Sequence, residues 1–268
     1  MYEFKRLKLL LFFQCKVSMR LFVSLAYNGT NYSGWQRQDN ALSVQQVLED
    51  AFSTVLGERI SVTGAGRTDA GVSASCFYAH FDTDIEIKEP RQVLYKLNAI
   101  MPADIVVYDL FKVADDAHAR FDATSRSYAY RLHTVKDPFA HMSAYFKFDL
   151  DMDAMNEAAG YLIGEQDFSA LEKTGGNNAT SICKVTRASW QRTALCHYVF
   201  NITANRFLRN MVRAAVGTLL EVGRHRQQPE WVAEVLAGRD RCSAGQSAPA
   251  VGLTLTDITY PYPLLPLK

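Results

Sequence analysis

The chain lacks an excess of charge of either sign, and it has few cysteines. Its 29 lysines and arginines are balanced by 28 aspartates and glutamates. The resulting net charge of +1 excludes a globally basic nucleic-acid binder and leaves only a local concentration of positive charge. The five cysteines are odd in number, widely spaced and never form a Cys-x-x-Cys pair. Neither a disulfide framework nor a zinc knuckle is therefore indicated, and we expect a reducing, cytoplasmic location.

Long apolar runs and metal-ligand patterns are also missing. The apolar segment over residues 9–13 is too short to span a bilayer, so we predict no membrane anchor. The six histidines show no metal-ligand spacing, so we predict no metal. Because Met19 directly precedes a clean strand pattern, we interpret residues 1–18 as an N-terminal extension, either a disordered tail or the product of a misplaced start codon.

The remaining composition, 48% apolar and 21% charged, is that of a folded globular protein. Alternating apolar residues predict strands over 21–27, 60–63, 75–82, 105–113, 125–133, 182–192, 197–203 and 253–260. Helical spacing with start and stop signals predicts helices over 44–55, from residue 90, and over 151–163, 206–222 and 229–237. This mixture favours the α+β class, with two packed halves around a largely antiparallel sheet. We place the halves at 19–113 and 114–262, followed by a tail at 263–268.

The densest signal for a functional site is the glycine-rich turn over residues 64–71, which reads Gly-Ala-Gly-Arg-Thr-Asp-Ala-Gly. Its glycines allow close backbone approach to a ligand while Asp69 displays a short carboxylate. A dinucleotide fingerprint would need glycine at Asp69, and a P-loop would need Lys-Ser/Thr at Val72-Ser73, so both of these phosphate-binding motifs are excluded. The alternative role for Asp69 is a simple turn cap.

Two further segments concentrate arginine. Over residues 119–131, arginines alternate with aromatics, and Tyr128 and Tyr130 share one strand face. Such a face can stack on unpaired bases, although tyrosines at this spacing are more often core residues. In the predicted helix over 206–222, Arg206, Arg209 and Arg213 fall on one face without acidic partners at helical spacing. The alternative there is an ordinary solvated helix face.

Together these segments resemble the tRNA pseudouridine synthase A family. The resemblance starts with Tyr27-Asn28-Gly29-Thr30, Tyr32-Ser33-Gly34-Trp35-Gln36-Arg37-Gln38 and Gly66-Arg67-Thr68-Asp69-Ala70-Gly71-Val72. It continues through Leu97-Asn98-Ala99, Ala119-Arg120-Phe121, Gln166-Asp167-Phe168-Ser169 and the segment over 207–213. It covers residues 19 to about 262. It implies the pseudouridine synthase fold, in which two ferredoxin-like halves share a central sheet with flanking helices.

The resemblance implies a cofactor-free isomerase that detaches uracil from its ribose in tRNA, turns it and rejoins it through C5. The family's substrates are uridines 38, 39 and 40 of the anticodon stem-loop. By resemblance, Asp69 is the nucleophile, Arg213 pairs with it and keeps it ionised, and Tyr128 stacks on the target base. Addition to the ribose C1′, addition to the uracil ring and a glycal route all remain open.

The resemblance also implies a homodimer in which one tRNA lies across both subunits. Arg206 and Arg209 are then expected to line a basic cleft. Extracting a paired base costs a few kcal/mol, so a side chain has to occupy the space that the base leaves. Arg67 is our candidate because it lies beside the nucleophile in the sequence. One position departs from the family pattern: Ser73 stands where histidine is usual, so a local RNA contact or the pocket shape is expected to differ.

Two other functions remain as alternatives. The first is a catalytically silent tRNA-binding or remodelling protein on the same scaffold, which the basic segment and the aromatics would also serve. The second is a glycosidase, which needs two carboxylates flanking the bond, whereas Asp69 has no acidic companion in its loop.

Overall fold

The computed structural model of the protein describes residues 18–175 and 179–268. Nearly all of the predicted extension over 1–18 lies outside these residues, as do residues 176–178 of the glycine- and asparagine-rich loop. Within the described ranges the chain forms ten strands and five α-helices, which confirms the α+β class. None of the helices in these ranges is long and apolar enough to cross a bilayer.

The strands are β1 (Met19–Tyr27), β2 (Thr63–Gly64), β3 (Ser73–Thr83), β4 (Ile105–Lys112), β5 (Ser125–His133), β6 (Ala144–Tyr145), β7 (Gly164–Asp167), β8 (Ile182–Ala194), β9 (His197–Ala204) and β10 (Leu253–Thr259). The helices are α1 (Val44–Leu56), α2 (Pro90–Ile100), α3 (Met152–Gly160), α4 (Met211–Gly223) and α5 (Trp231–Gly238). Local signals explain their bounds: the Ser43 hydroxyl accepts a hydrogen bond from the Gln46 amide at the start of α1, and Gly57 ends it in the left-handed region.

All ten strands join one sheet in which each half repeats the same topology. The first half has the spatial order β4-β1-β3-β2 and the second has β10-β5-β9-β8. In both halves, helices connect the first strand to the second and the third to the fourth, which is the ferredoxin-like βαββαβ arrangement. The pairing is antiparallel except between β3 and β10 and between β5 and β6, so the predicted largely antiparallel sheet is confirmed.

The two halves meet along one edge of β3. The opposite edge of β3 pairs with β1 along most of its length. On the edge that faces the second half, the short strand β2 pairs only with Ala79 and His80, and β10 pairs with Ser73 and Ala74. The glycine-rich turn connects β2 to β3, so it emerges at the junction between the halves. The sheet thereby places Asp69 beside the second half of the chain.

The apolar side chains form two buried clusters. One packs around β1, β3 and α1, with Phe52 and Phe77 among its buried rings. The other packs around β8, β9 and α4, with Trp190 and Phe200 among its buried rings. Tyr128 on β5 packs against both clusters, because β5 lies next to β10 at the junction.

Two of the predicted elements are wrong in part. The strand expected over 60–63 is reduced to Thr63–Gly64, because side chains of α1 take the backbone amides before it: Ile60 donates to the Ser53 hydroxyl and Val62 to the Glu49 carboxylate. The remaining elements are confirmed, with most ends shifted by a few residues.

The second error is the start of the arginine-rich helix. It begins at Met211 rather than at residue 206, because Asn210 adopts a left-handed conformation with φ 64°. Upstream, the Asn205 side chain accepts hydrogen bonds from the amides of Lys184 and Arg206, which fixes a non-helical entry. Arg206 and Arg209 therefore precede the helix that carries Arg213.

Candidate active site

Hydrogen bonds hold the backbone around Asp69 from both sides. The Trp35 amide donates to the Thr68 carbonyl at 3.2 Å, and the Val72 amide donates to the Asp69 carbonyl at 3.1 Å. The hydroxyls of Thr68 and Tyr27 lie 2.9 Å apart in a buried hydrogen bond. Because these contacts fix the turn, the Asp69 side chain projects from a rigid backbone rather than from a mobile loop.

The segment over residues 28–35 lies directly beneath this turn, and glycine makes the close approach possible. Gly34 has φ +89°, and a Cβ at that position would lie 2.4 Å from the Thr68 carbonyl oxygen. A side chain there would displace the residue next to Asp69. Two of the sequence motifs quoted above are thus parts of one packing unit.

Arg213 reaches Asp69 from the other half of the protein. Its Nη1 lies 3.4 Å from the Asp69 Oδ2, and its Nε donates to the Ala248 carbonyl oxygen at 2.8 Å. The side chains are 22% and 33% exposed for Arg213 and Asp69, so the ion pair is accessible from the cleft but is largely shielded from water. The predicted proximity of the two residues is confirmed, and Arg213 is held by a second contact that the sequence did not indicate.

Tyr128 lies at the same place, on β5. Burial raises the pKa of its hydroxyl to about 12; the Arg126 charge opposes this rise and the Asp69 charge adds to it. The hydroxyl is therefore protonated at neutral pH. The Tyr128 ring meets Phe207 edge to face, with centroids 5.1 Å apart. Its strand neighbour Tyr130 is a core residue whose hydroxyl donates to Pro249, so the two tyrosines of the predicted pair have different roles.

Asp69, Arg213 and Tyr128 line one cleft of about 1490 Å³. Among the described residues of its lining there are eight basic side chains and a single acidic one, Asp69. A chain of net charge +1 thus concentrates positive charge around one carboxylate. The cleft suits a polyanion, and Asp69 supplies a carboxylate, a group that can act as a nucleophile.

Three of these cations lie close to one another. The pKa of Arg120 is lowered by burial and further by the positive charges of Arg67 and Arg206. Like charges repel when they are brought together, so this cluster gains most from an anionic ligand. Arg67, two residues before Asp69, is exposed and lines the cleft.

Arg126 organises the walls of the cleft. Its guanidinium donates to the carbonyl oxygens of Ala65, Arg120, Ala123 and Asn205 at 2.6–3.1 Å. These carbonyls belong to the glycine-rich turn, to the segment that follows β4 and to the segment that follows β9. Sequence reasoning found the basic residue but could not assign it this position between three segments.

The prediction that Arg206, Arg209 and Arg213 share a helix face is wrong, yet all three line the cleft. The segment before α4 bends so that the Arg209 carbonyl accepts from the Lys173 amide at 3.0 Å, which brings the two residues together. Sequence reasoning did not single out Lys173 or Arg241 as lining residues. Lys173 closely follows the quoted motif over 166–169, which could have indicated it. Arg241 has no such motif nearby.

Ser73, the position that departs from the family pattern, is 3% exposed and lies outside the cleft lining. Its hydroxyl accepts a hydrogen bond from the Gly29 amide at 3.0 Å, so it joins β3 to the segment beneath the turn. Within the part of the chain that the structure describes, no group of three or more His, Cys, Asp or Glu side chains is arranged to hold a metal ion.

Comparison with known proteins identifies the relatives of this chain. A family model described as tRNA pseudouridine synthase matches residues 24–122 and 158–261. Proteins named tRNA pseudouridine synthase A are similar along nearly their whole length. The relative from Parabacteroides distasonis is 46% identical, with 93% of this chain and 99% of the relative aligned. The relative from Bacteroides fragilis is 47% identical, with 90% of this chain and 96% of the relative aligned.

A third relative, from Bacteroides thetaiotaomicron, is 48% identical, with 90% of this chain and 91% of the relative aligned. Among solved structures, a chain of a Cbf5-Nop10-Gar1 complex overlaps 87% of this chain and 57% of its own length at 11% identity. Its TM-score of 0.33 is too low to show a shared fold.

Proposed function

The chain belongs to the tRNA pseudouridine synthase family, and we propose that it converts uridines 38, 39 and 40 of the tRNA anticodon stem-loop to pseudouridine. The observation that carries the proposal is the position of Asp69: it is the single carboxylate among the described lining residues of a strongly basic cleft, and it lies within reach of Arg213 and Tyr128. A silent RNA-binding module would need the basic side chains but not this carboxylate.

The reaction breaks the bond between uracil N1 and ribose C1′ and forms a bond between C5 and C1′. As N1 leaves, C1′ becomes electron-poor, and the Asp69 carboxylate stabilises or captures it. After the base has turned and C5 has bonded to C1′, the C5 proton is lost and N1 gains a proton. Atoms and electrons balance without a redox partner, so the proposed reaction uses no cofactor.

Arg213 has the positioning role in this scheme. Its Nε is bonded to the Ala248 carbonyl, which leaves Nη1 directed at the Asp69 Oδ2. The guanidinium thereby neutralises the carboxylate and limits the directions in which it can turn. A carboxylate held in place before the substrate arrives loses little conformational freedom during the reaction.

The target uridine has to leave its helix to reach Asp69, and this costs a few kcal/mol. We assign the Tyr128 ring to contact the everted uracil, because it lines the cleft with Asp69 and packs against both apolar clusters at the junction. We assign Arg67 to the space that the base vacates, since it is an exposed residue of the cleft lining two positions before Asp69. Arg206 and Arg209 hold phosphates of the surrounding strand.

The family resemblance further supports a homodimer in which one tRNA lies across both subunits, acting in the cytoplasm. The cleft of one chain is open and lined by basic residues. A surface that binds part of a long polyanion needs both properties.

Tritium release tests the function directly. Unmodified tRNA labelled at uracil C5 is incubated with the purified protein, and radioactivity in water is counted. We expect release with the wild type and none above background with Asp69→Ala or Asp69→Asn, since the asparagine keeps the shape of the side chain and removes its charge. Glu157→Gln, which neutralises an exposed acid on α3, is the matched control and should release tritium at the wild-type rate.

Thermal unfolding distinguishes lost chemistry from lost folding, because the Asp69 side chain is partly exposed and its removal should leave Tm within a few degrees of the wild type. Equal release by wild type and Asp69→Ala would refute the assignment of the nucleophile. Binding of tRNA by wild type without any release would refute the enzymatic function.

A further inference from the structure

We propose that Phe121 is a stacking platform for a base that neighbours the target uridine, with Arg120 holding the adjoining phosphate. This inference rests on the proposed function and deepens it, because it assigns a second base contact in the same cleft.

The exposure of Phe121 is the first observation. Its residue surface is 74% exposed. Twelve large hydrophobic side chains are exposed in the described part of the chain, and Phe121 is the one among them that lines the cleft. A single exposed apolar side chain on a convex surface needs no explanation. An apolar side chain that stays exposed inside a basic cleft will contact the ligand that the cleft binds.

The backbone that carries Phe121 is held rigidly. The His118 Nδ1 accepts hydrogen bonds from the amides of Arg120 and Phe121, at 3.1 and 3.3 Å. The amide of His118 donates to the Asp122 carboxylate at 2.7 Å, and the amide of Asp122 donates back to the His118 carbonyl at 3.0 Å. The Ala119 amide donates to the buried ring of His80. These bonds prevent the segment from folding inwards to bury the ring, so the exposure is built into the structure.

The surroundings of the ring fit a nucleobase. One neighbour is the His118 imidazole, whose centroid lies 4.2 Å from that of Phe121 and supports the ring. The other is the Arg120 guanidinium, whose carbon lies 5.8 Å from the ring centroid. Single-stranded RNA is commonly bound by aromatic faces that stack on bases beside arginines that hold phosphates. The ligand class is therefore an unpaired or splayed base, and a ring stack of this kind tolerates all four bases.

Substitution of the ring distinguishes stacking from simple apolar contact. Phe121→Trp, Phe121→Leu and Phe121→Ala are compared by the dissociation constant for unmodified tRNA and by kcat and KM in the tritium assay. Phe139→Ala is the matched control, because that ring is 85% exposed and lies outside the cleft lining.

We expect Phe121→Ala to raise both Kd and KM by roughly 5- to 160-fold, the range for losing one base–aromatic stack. We expect kcat to stay within about threefold, because the base on Phe121 is not the reacting one. Leucine should be nearly as poor as alanine, since it is apolar but has no π face, and tryptophan should match or exceed the wild type. Tm should be unchanged in all three variants.

Either of two results overturns the proposal: Phe121→Ala with Kd and KM within twofold of the wild type, or Phe121→Leu equal to the wild type. Both are read against wild-type turnover in the same assay. If the wild type releases no tritium, the proposed function itself has failed; if it does and the variants are unaffected, only the stacking role is lost.

Discussion

The affinity for tRNA should depend steeply on salt, by an amount that the cleft predicts. Of its eight basic residues, Arg126 and Arg241 donate to backbone carbonyls, Arg213 pairs with Asp69, and Arg67 is assigned to the space of the extracted base. We assign the other four to phosphates: Arg120, Lys173, Arg206 and Arg209. Each neutralised phosphate contributes about −0.9 to the slope of log K against log salt on a duplex and about −0.7 on a single strand. Four contacts predict a slope of about −2.8 to −3.6, so raising salt from 50 to 200 mM should weaken binding roughly 50- to 150-fold.

Filter binding with unmodified tRNA over that salt range measures the slope. Arg209→Ala removes one exposed cleft cation and should make the slope shallower by about 0.7 to 0.9. Arg91→Ala, on the exposed surface of α2 and outside the cleft lining, is the matched control and should leave the slope unchanged. A wild-type slope shallower than about −2, or the same slope for Arg209→Ala as for the wild type, would contradict the assignment of the cleft to RNA.

Two further predictions concern the structure around the cleft. Gly217→Ala would place a Cβ 1.7 Å from the Gln246 carbonyl oxygen, one helical turn from Arg213. The substitution should cost about 1–3 kcal/mol of stability and also lower activity. At the control position, Gly160→Ala, the added Cβ meets nothing within 4 Å, so stability and activity should both stay unchanged. Burial lowers the pKa of His80 to about 4, so below pH 6.5 the unfolded state binds a proton that the folded state does not. Stability should fall by about 3 kcal/mol through His80 as the pH drops from 6.5 to 4. Urea unfolding should show a weaker pH dependence in His80→Asn than in the wild type, and burial of His118 and His133, which also lowers their pKa, accounts for the dependence that remains.

The sequence singles out Asp69 as a candidate site residue because its signals are local, and the family resemblance implies the role of nucleophile, which stays a proposal. The glycine spacing, the excluded phosphate motifs and Asp69 itself lie within ten residues, over 64–73. The start of the helix that carries Arg213 was predicted wrongly because contacts between distant residues act on it. The Asn210 side chain, directly before the helix, donates to the Ser247 hydroxyl, 37 residues away. Helical spacing therefore grouped three arginines that do line one cleft, although only Arg213 lies on the helix. The boundaries of the two halves, drawn at residues 113 and 114, stay a prediction.

The sequence by itself determined the element types, the α+β class and the turn that displays Asp69, because apolar periodicity, caps and glycine stops act over one or two turns of chain. Only the tertiary structure decided which cations surround that carboxylate. Asp69 and Arg213 are 144 residues apart, and they meet because β10 pairs with β3 where β2 ends. That register is set by long-range hydrogen bonds between strands and by packing of the two apolar clusters at their junction. Neither the strand pairing nor the packing of the clusters produces a periodic pattern in the sequence, so neither could be predicted from it.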